Sequence, residues 1–265
     1  MPRVAPGLLE TAIGVFIEGF CFTRSFTHPY SPTKIGPIHV LRDGPRKTKA
    51  PPRRDEWVAA QTAPATVDQL ARKHSPGRFC LSIITGDNSP NAEVCAAYKA
   101  LHYRLGASEA LMVHPLTRIP RVSSPATIRR VLTPTDADRL AKAAGQCQIL
   151  PEHLHRDAPL RQYLAEIDGE IVGWVRSICC AHGNWCSNLF VLPQHRRQRV
   201  GSALLAHLLR DDRAHGAKLA VLTASHAGAK LYPTLGYRQI GTLLLFTPQR
   251  QKAMEASTPA FIEMS

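Results

Sequence analysis

W-C-S-N-L-F-V-L-P-Q-H-R-R-Q-R-V-G-S-A-L-L-A-H-L-L-R, residues 185–210, changes its pattern twice. An apolar run from Trp185 to Leu192 stops at Pro193. A basic turn follows from His195 to Gly201, and Ser202 to Arg210 then repeats leucine at helical spacing. The order is strand, tight turn, helix. The first N–H groups of such a helix have no intrahelical partner, and they point into the turn with the positive end of the helix dipole. That arrangement binds phosphate. Arg196, Arg197 and Arg199 add positive charge at the same place, so the physics of the stretch indicates pyrophosphate or another anion.

The letters carry a resemblance as well. P-Q-H-R-R-Q-R-V-G-S-A-L-L resembles the acetyl-CoA loop of the GCN5-related N-acetyltransferases (GNAT), whose pattern is R/Q-x-x-G-x-G/A. Arg196 fills the first slot and Gly201 the last, while Arg199 stands where the family has its middle glycine. Glycine is the residue that tolerates every φ at low cost, so this departure tests the resemblance. Downstream, K-L-A-V-L-T at 218–223 reads as a buried strand. A-K-L-Y-P-T-L-G-Y at 229–237 matches the family's L-Y-x-x-x-G-F/Y. Two motifs in the right order over about half the chain are more specific than a lone glycine loop. The chain is thus similar to a bacterial-type member of the family with an extra N-terminal region.

That resemblance implies an α/β fold with a mixed central sheet flanked by helices. It implies an N-acetyltransferase that moves acetyl from acetyl-CoA, a co-substrate, to an amine by direct attack in a ternary complex. Backbone N–H groups of Leu189, Phe190 and Val191 would hold the thioester carbonyl and stabilise the oxyanion. The pyrophosphate would rest on the turn Arg196, Arg197, Gln198, Arg199, Val200, Gly201 and Ser202. Ser225 stands where many relatives have an asparagine touching the cofactor. Tyr232 matches a tyrosine that protonates the departing thiolate. Relatives shape the acceptor pocket near the segment Gln148 to Glu152. The acceptor is an amine-bearing small molecule, or a protein or peptide.

No general base is marked. Neither an acid nor a histidine lies between Trp185 and Leu192, and Glu152, Glu166 and His182 are candidates by rough position. The missing base and the replaced glycine favour a rival class, a non-catalytic acyl-CoA-sensing or partner-binding protein of the same fold. Tyr232 and Gly201 oppose it.

The 265 residues carry a net charge of +13, with 44% hydrophobic and 6% aromatic residues. Sixteen basic and nine acidic residues precede position 124, and 17 and 11 follow, so no single basic tail accounts for the charge. A basic surface suits a polyanionic co-substrate as well as nucleic acid. The basic stretch R-D-G-P-R-K-T-K-A-P-P-R-R-D-E at 42–56 reads as a loop, and it lacks the interleaved aromatics of single-strand binders. Nucleic acid is therefore not the expected partner. Seven cysteines without any C-x-x-C argue against a disulfide scaffold or a zinc site, and for a reducing cytoplasm. Glu10 and Glu18 interrupt the apolar start, so neither a secretory leader nor a membrane span is expected there.

In chain order, Leu8, Leu9, Ala12, Ile13, Phe16 and Ile17 fall at helical spacing. Phe20 to Phe26 and Ile38 to Leu41 read as short strands. Val67 to His74 and Ala92 to His102 read as helices, Phe79 to Thr85 and Ala110 to Val113 as strands. A-Y-K-A-L-H-Y-R at 97–104 matches L-Y-P-T-L-G-Y-R at 231–238 at one constant offset, through Tyr98, Leu101, Tyr103 and Arg104. Either the N-terminal part is a degenerate half-copy of the same fold, or two amphipathic helix ends are alike by chance. After a linker at 118–125, T-I-R-R-V-L-T at 127–133 reads as a strand, 134–145 as a capped helix, and Ile149 to His155 as a short helix. D-G at 168–169 marks a hairpin. The expected division is an N-terminal domain at 1–123, the acetyltransferase domain at 124–249, and a tail at 250–265.

Overall fold

Tyr103 and Arg238 each open a long strand after a helical segment, and those two strands lie side by side. The computed structural model describes residues 7–46, 51–86, 91–225 and 228–249. The tail at 250–265 and part of the basic loop lie outside them. The N-terminal part runs α1 (Leu8–Arg24), β1 (Tyr30–Ile35), β2 (Ile38–Asp43), β3 (Asp55–Ala60), α2 (Pro64–His74), β4 (Phe79–Gly86), α3 (Asn91–Ala100) and β5 (Tyr103–His114). The second part runs β6 (Thr127–Arg130), α4 (Pro134–Ala144), β7 (Leu160–Ile167), β8 (Glu170–Cys180), β9 (Gly183–Val191), α5 (Val200–Ala214), β10 (Ala220–Ala224) and β11 (Arg238–Pro248). The eleven strands among the described residues form one sheet, in the order β1-β2-β3-β4-β11-β5-β10-β9-β8-β7-β6.

Each half ends with the same succession: strand, helix, parallel strand, helical segment, final strand. The final strands are exchanged. β11 pairs with β4 of the N-terminal half, and β5 pairs with β10 of the other. Between them β5 and β11 pair antiparallel over most of their length. The offset that carries Tyr98 onto Tyr232 also carries Glu109 onto Leu243, and these two residues are direct partners in that ladder. A rotation exchanging two antiparallel strands passes through such a pair. The half-copy expected from the letters is thus present as an approximate two-fold arrangement.

Local chemistry sets the ends of the elements. Thr133 accepts a hydrogen bond from the Asp136 N–H at the start of α4, and Gly145 closes that helix in the left-handed region at φ 69°. Asp168 and Gly169, both at positive φ, make the two-residue turn between β7 and β8. α1 buries Ala12, Ile13, Val15, Phe16, Ile17 and Cys21 against one face of the sheet. A buried aliphatic or aromatic side chain contributes about 1.5–3 kcal/mol. α1 approaches so closely that a Cβ on Gly19 would stand 2.2 Å from Trp185 Cγ. The opposite face carries α5 in the C-terminal half and α2 and α3 in the N-terminal half.

Several expectations need correction. Phe20 to Arg24 is not a strand but the last turn of α1, where Phe20 packs on Phe16 at 5.6 Å and Thr23 Oγ1 donates to the Phe20 carbonyl. β1 went unread because Y-S-P-T-K-I is an edge strand exposed at four of its six positions. β3 was hidden by Asp55 and Glu56, which read as loop charges; Glu56 is instead buried and neutralised by Arg24 at 3.2 Å. Ile149 to His155 holds only a 3-10 turn, Pro151–His153. The described part of the basic loop is engaged internally. Arg46 and Arg53 both bind the Asp43 carboxylate, and Arg53 also donates to the carbonyls of Arg24 and His28.

Removing residues 1–123 would remove β5 and leave β10 and β11 with bare edges facing each other across a gap. Exposed strand edges are templates for association. Residues 124–265 expressed alone should therefore aggregate or oligomerise on size exclusion. A monomeric, fully active fragment would contradict the exchanged-strand account.

Candidate active site

β9 and β10 are parallel neighbours that pair at only two positions, Asn184 with Ala220 and Trp185 with Val221. Beyond Trp185, β9 pairs only with β8, and β10 pairs with β5. A wedge opens between them. Its cause lies in β9, where Trp174 opposes Phe190 but Arg176 opposes Ser187, leaving an irregularity at Asn188 and Leu189. Asn188 sits at φ 55°, a conformation that asparagine adopts more readily than most residues. Its side-chain amide donates to Gln148 Oε1, which also accepts from Arg176. Leu189, Phe190 and Val191 thus lie on the strand edge that faces the wedge. Phe190 stacks on Trp174 at 4.7 Å. The matching parallel pair of the N-terminal half, β3 and β4, stays joined over six successive residues and leaves no wedge.

The turn after β9 begins with a 3-10 segment, Pro193–His195, and Arg196 Nε donates to the Val191 carbonyl at 3.1 Å. Arg197 and Arg199 both take left-handed φ, 66° and 61°. Arg199 therefore has the backbone conformation for which glycine is the cheap choice, at a cost of roughly 1–2 kcal/mol. Successive N–H groups in such alternating conformations form an anion-binding concavity. Arg199 is the N-cap of α5, no side chain caps the helix, and its first turn holds no acid. A cavity of about 310 Å³ opens here, lined by Val191, Arg196, Arg197, Arg199, Gly201 and Leu231 among others. A Cβ on Gly201 would meet Val191 and Leu231 at 3.5 and 3.6 Å, ordinary contacts that fill the cradle without forcing the backbone.

α5 is held in place from below. Asp212, fully buried, accepts from Arg161 and from Ser177, and Asp211 accepts from the Tyr163 hydroxyl. These bonds tie the helix to β7 and β8, and so fix where its N-terminus points.

Tyr232 opens the 3-10 segment Tyr232–Leu235, so the helix end at 231–238 is a short 3-10 turn. Pro233 has no N–H to donate to a helical ladder. Tyr232 packs edge-on against Tyr237. Burial pushes its phenol well above the ordinary range, helped by Cys186 and Glu109. Ser225 lies close by, its Oγ accepting from the Gly228 N–H at 3.4 Å. The segment is supported from the N-terminal half: His114 on β5 takes the Leu116 N–H on Nδ1, leaving Nε2 to donate to the Leu235 carbonyl. No sequence signal marked His114.

On the other face of the sheet, beneath α1, a second cavity of about 290 Å³ reaches both strands of the wedge, through Ser187 on β9 and Thr223 on β10. Glu109 and Glu56, both from the N-terminal half, line it as well. Burial raises the Glu56 carboxyl, against the pull of Arg24 and Arg54. The three positional candidates for a base do not face this space. Glu166 is held by Arg129 and Arg139 at the β6 edge, Glu152 is exposed, and His182 sits in the turn before β9. Glu109 lies outside the acetyltransferase motifs, and only the strand exchange brings it near.

Residues 159–239 match the family profile of the acetyltransferase (GNAT) domain. Among solved structures, the chain is similar to a GCN5-related N-acetyltransferase from Kribbella flavida, at 17% identity, 93% of this chain, 98% of that one and a TM-score of 0.62. A GCN5-related N-acetyltransferase from Sphaerobacter thermophilus aligns at 16% identity over 82% and 79% of the two chains, with a TM-score of 0.55. A GCN5-related N-acetyltransferase-like protein from Streptococcus suis aligns at 10% identity over 91% and 98%, with a TM-score of 0.54. At these identities the likeness is one of fold. No curated protein matches the sequence. No described helix is long and apolar enough to cross a membrane.

Acetyl-CoA should raise the melting temperature by mass action, by the equivalent of about 2.7 kcal/mol at a hundred times Kd. Gly201→Asp should abolish that shift while leaving the unliganded melting temperature nearly unchanged. An unaltered shift in the variant would move the anion site elsewhere.

Proposed function

We propose that this chain, which carries a GNAT acetyltransferase domain, transfers acetyl from acetyl-CoA to an amine by direct attack in a ternary complex. The observation that carries the reading is the wedge between β9 and β10, with the arginine-flanked N-terminus of α5 at its mouth. The turn Arg196 to Ser202 would take the pyrophosphate on its backbone N–H groups and the α5 dipole. The edge Leu189 to Val191 would direct N–H groups at the thioester oxygen, where charge develops during attack. Ser225 would stand beside the co-substrate near Tyr232.

Tyr232 would protonate the leaving sulfur. Burial keeps it a phenol across the physiological range, so its proton is available throughout. Arg199 does not speak for a lost activity, since it adopts the turn conformation that the usual glycine allows. All seven cysteines are free, which fits the reducing cytoplasm as the place of action.

Tyr232→Phe keeps the ring and its packing and removes only the proton donor. General acid catalysis contributes about 10²–10⁴ in rate, and a thiolate is a tolerable leaving group, so a fall near the lower end is expected. The acetyl-CoA melting shift should stay the same, as for an interaction made in the transition state. Single-turnover rates within about twofold of wild type would reduce Tyr232 to a packing residue.

A further inference from the structure

We propose that the cavity beneath α1 is the acceptor site, that it takes a small primary amine bearing a carboxylate several bonds away, and that Glu109 receives the amine's proton. This rests on the acetyl-transfer reading above and adds a substrate class to it.

Four observations converge. The first is position. The cavity meets the wedge at Ser187 and Thr223 from the α1 face, whereas the arginine-lined cradle meets it from the α5 face. The amine therefore reaches the thioester carbonyl from the face opposite the one that holds the pyrophosphate. The second is size. About 290 Å³ lies just below the roughly 300–1,000 Å³ typical of small-molecule sites, so the occupant is a small molecule and not a folded chain.

The third is charge. Glu109 forms no ion pair among the described residues, so its end of the cavity is negative. At the far end two guanidiniums, Arg24 and Arg54, share the single carboxylate of Glu56, at 3.2 and 3.9 Å, and leave that end positive. An ammonium beside Glu109 and a carboxylate beside the arginines would neutralise both. The fourth is span. Glu109 is on β5 and Glu56 on β3, with β11 and β4 between them, three interstrand spacings or roughly 14 Å across the sheet, and the register sets Glu56 four residues further along the strands, roughly 13 Å more. Even with arginine side chains reaching inward, an α-amino acid is too short to touch both ends. An ω-amino acid has the reach. Phe16, Phe20 and Trp185 would cover its methylene chain, and Ser187 Oγ, buried without a partner, is a polar atom left for the ligand.

The step balances as follows. The ammonium gives one proton to Glu109, and the neutral nitrogen forms the C–N bond to the thioester carbonyl. As the C–S bond breaks, sulfur takes the Tyr232 proton. The second proton shed by the new amide nitrogen restores the phenol, and Glu109 returns its proton to solvent.

The test measures thiol release from acetyl-CoA with 6-aminohexanoate, lysine, glycine and hexylamine, at several pH values, on wild type, Glu109→Gln and Arg54→Ala. Melting temperatures with and without acetyl-CoA check fold and co-substrate binding in each variant. Wild type should prefer 6-aminohexanoate or lysine over glycine and hexylamine by at least about tenfold in kcat/KM, one charge-assisted contact's worth. Arg54→Ala should erase the preference over hexylamine. Glu109→Gln should lose about a hundredfold near neutral pH and recover as pH rises toward the amine's own pKa, with an unchanged acetyl-CoA shift. A wild type that uses hexylamine as well as 6-aminohexanoate, or a Glu109→Gln variant with an unaltered pH profile, overturns this proposal and leaves acetyl transfer standing. Absence of thiol release with every amine overturns the transfer reading itself.

Discussion

The antiparallel ladder between β5 and β11 is the constraint on which the rest of the structure depends. It is the seam between two half-folds, and each strand in it also completes the other half's sheet. Because β5 occupies the far side of β10, β10 is held there while β9 bends toward β8. The irregularity at Asn188 opens the wedge, and the exchange sets what stands beside it, since β4 is flanked by β11 in the same way while its joint with β3 stays closed. The same ladder brings Glu109 beneath α1 and His114 against the segment of Tyr232. Both residues belong to a half that carries none of the acetyltransferase motifs.

The two halves share a plan and differ in one joint. β3 and β4 remain hydrogen-bonded throughout, and the helix between them starts with Ala63 and Pro64 without a basic turn. β9 and β10 separate after two pairs, and the helix between them starts with arginines in left-handed conformations. A parallel pair that stays closed has no vacant backbone groups to offer a carbonyl, and a helix start without charge has less to offer a phosphate. The same architecture thus yields one candidate site instead of two.

Much of this was legible in the letters, for physical reasons. Residues 185–210 switch from a strand pattern to helical spacing across a charged turn, a contrast that tertiary context seldom overrides. The capped helix at Thr133 and Gly145 and the Asp168–Gly169 turn were equally local. What escaped was whatever depends on distant partners. Glu56 reads as a loop residue until Arg24, thirty-two positions away, neutralises it in the sheet. Phe20 and Phe22 have the composition of a strand, and only packing along α1 makes them helical. Glu109 is an unremarkable acid in a strand until the strand is placed across the molecule from its own half.

The pairing of Glu109 with Leu243 has a consequence for how such a site persists. An approximate two-fold axis through a strand ladder is the geometry of a symmetric dimer, here contained in a single chain. Separate partners would meet by collision, and dilution would drive them apart. Joined through the connection from Pro115 to Ala126, the halves meet at an effective concentration set by that tether. Association becomes first order, and the cavity beneath α1 exists in every folded molecule however few there are. Fusion also frees the halves from identity. A change in one no longer recurs in the other, so one joint could open and acquire charge while its counterpart stayed shut.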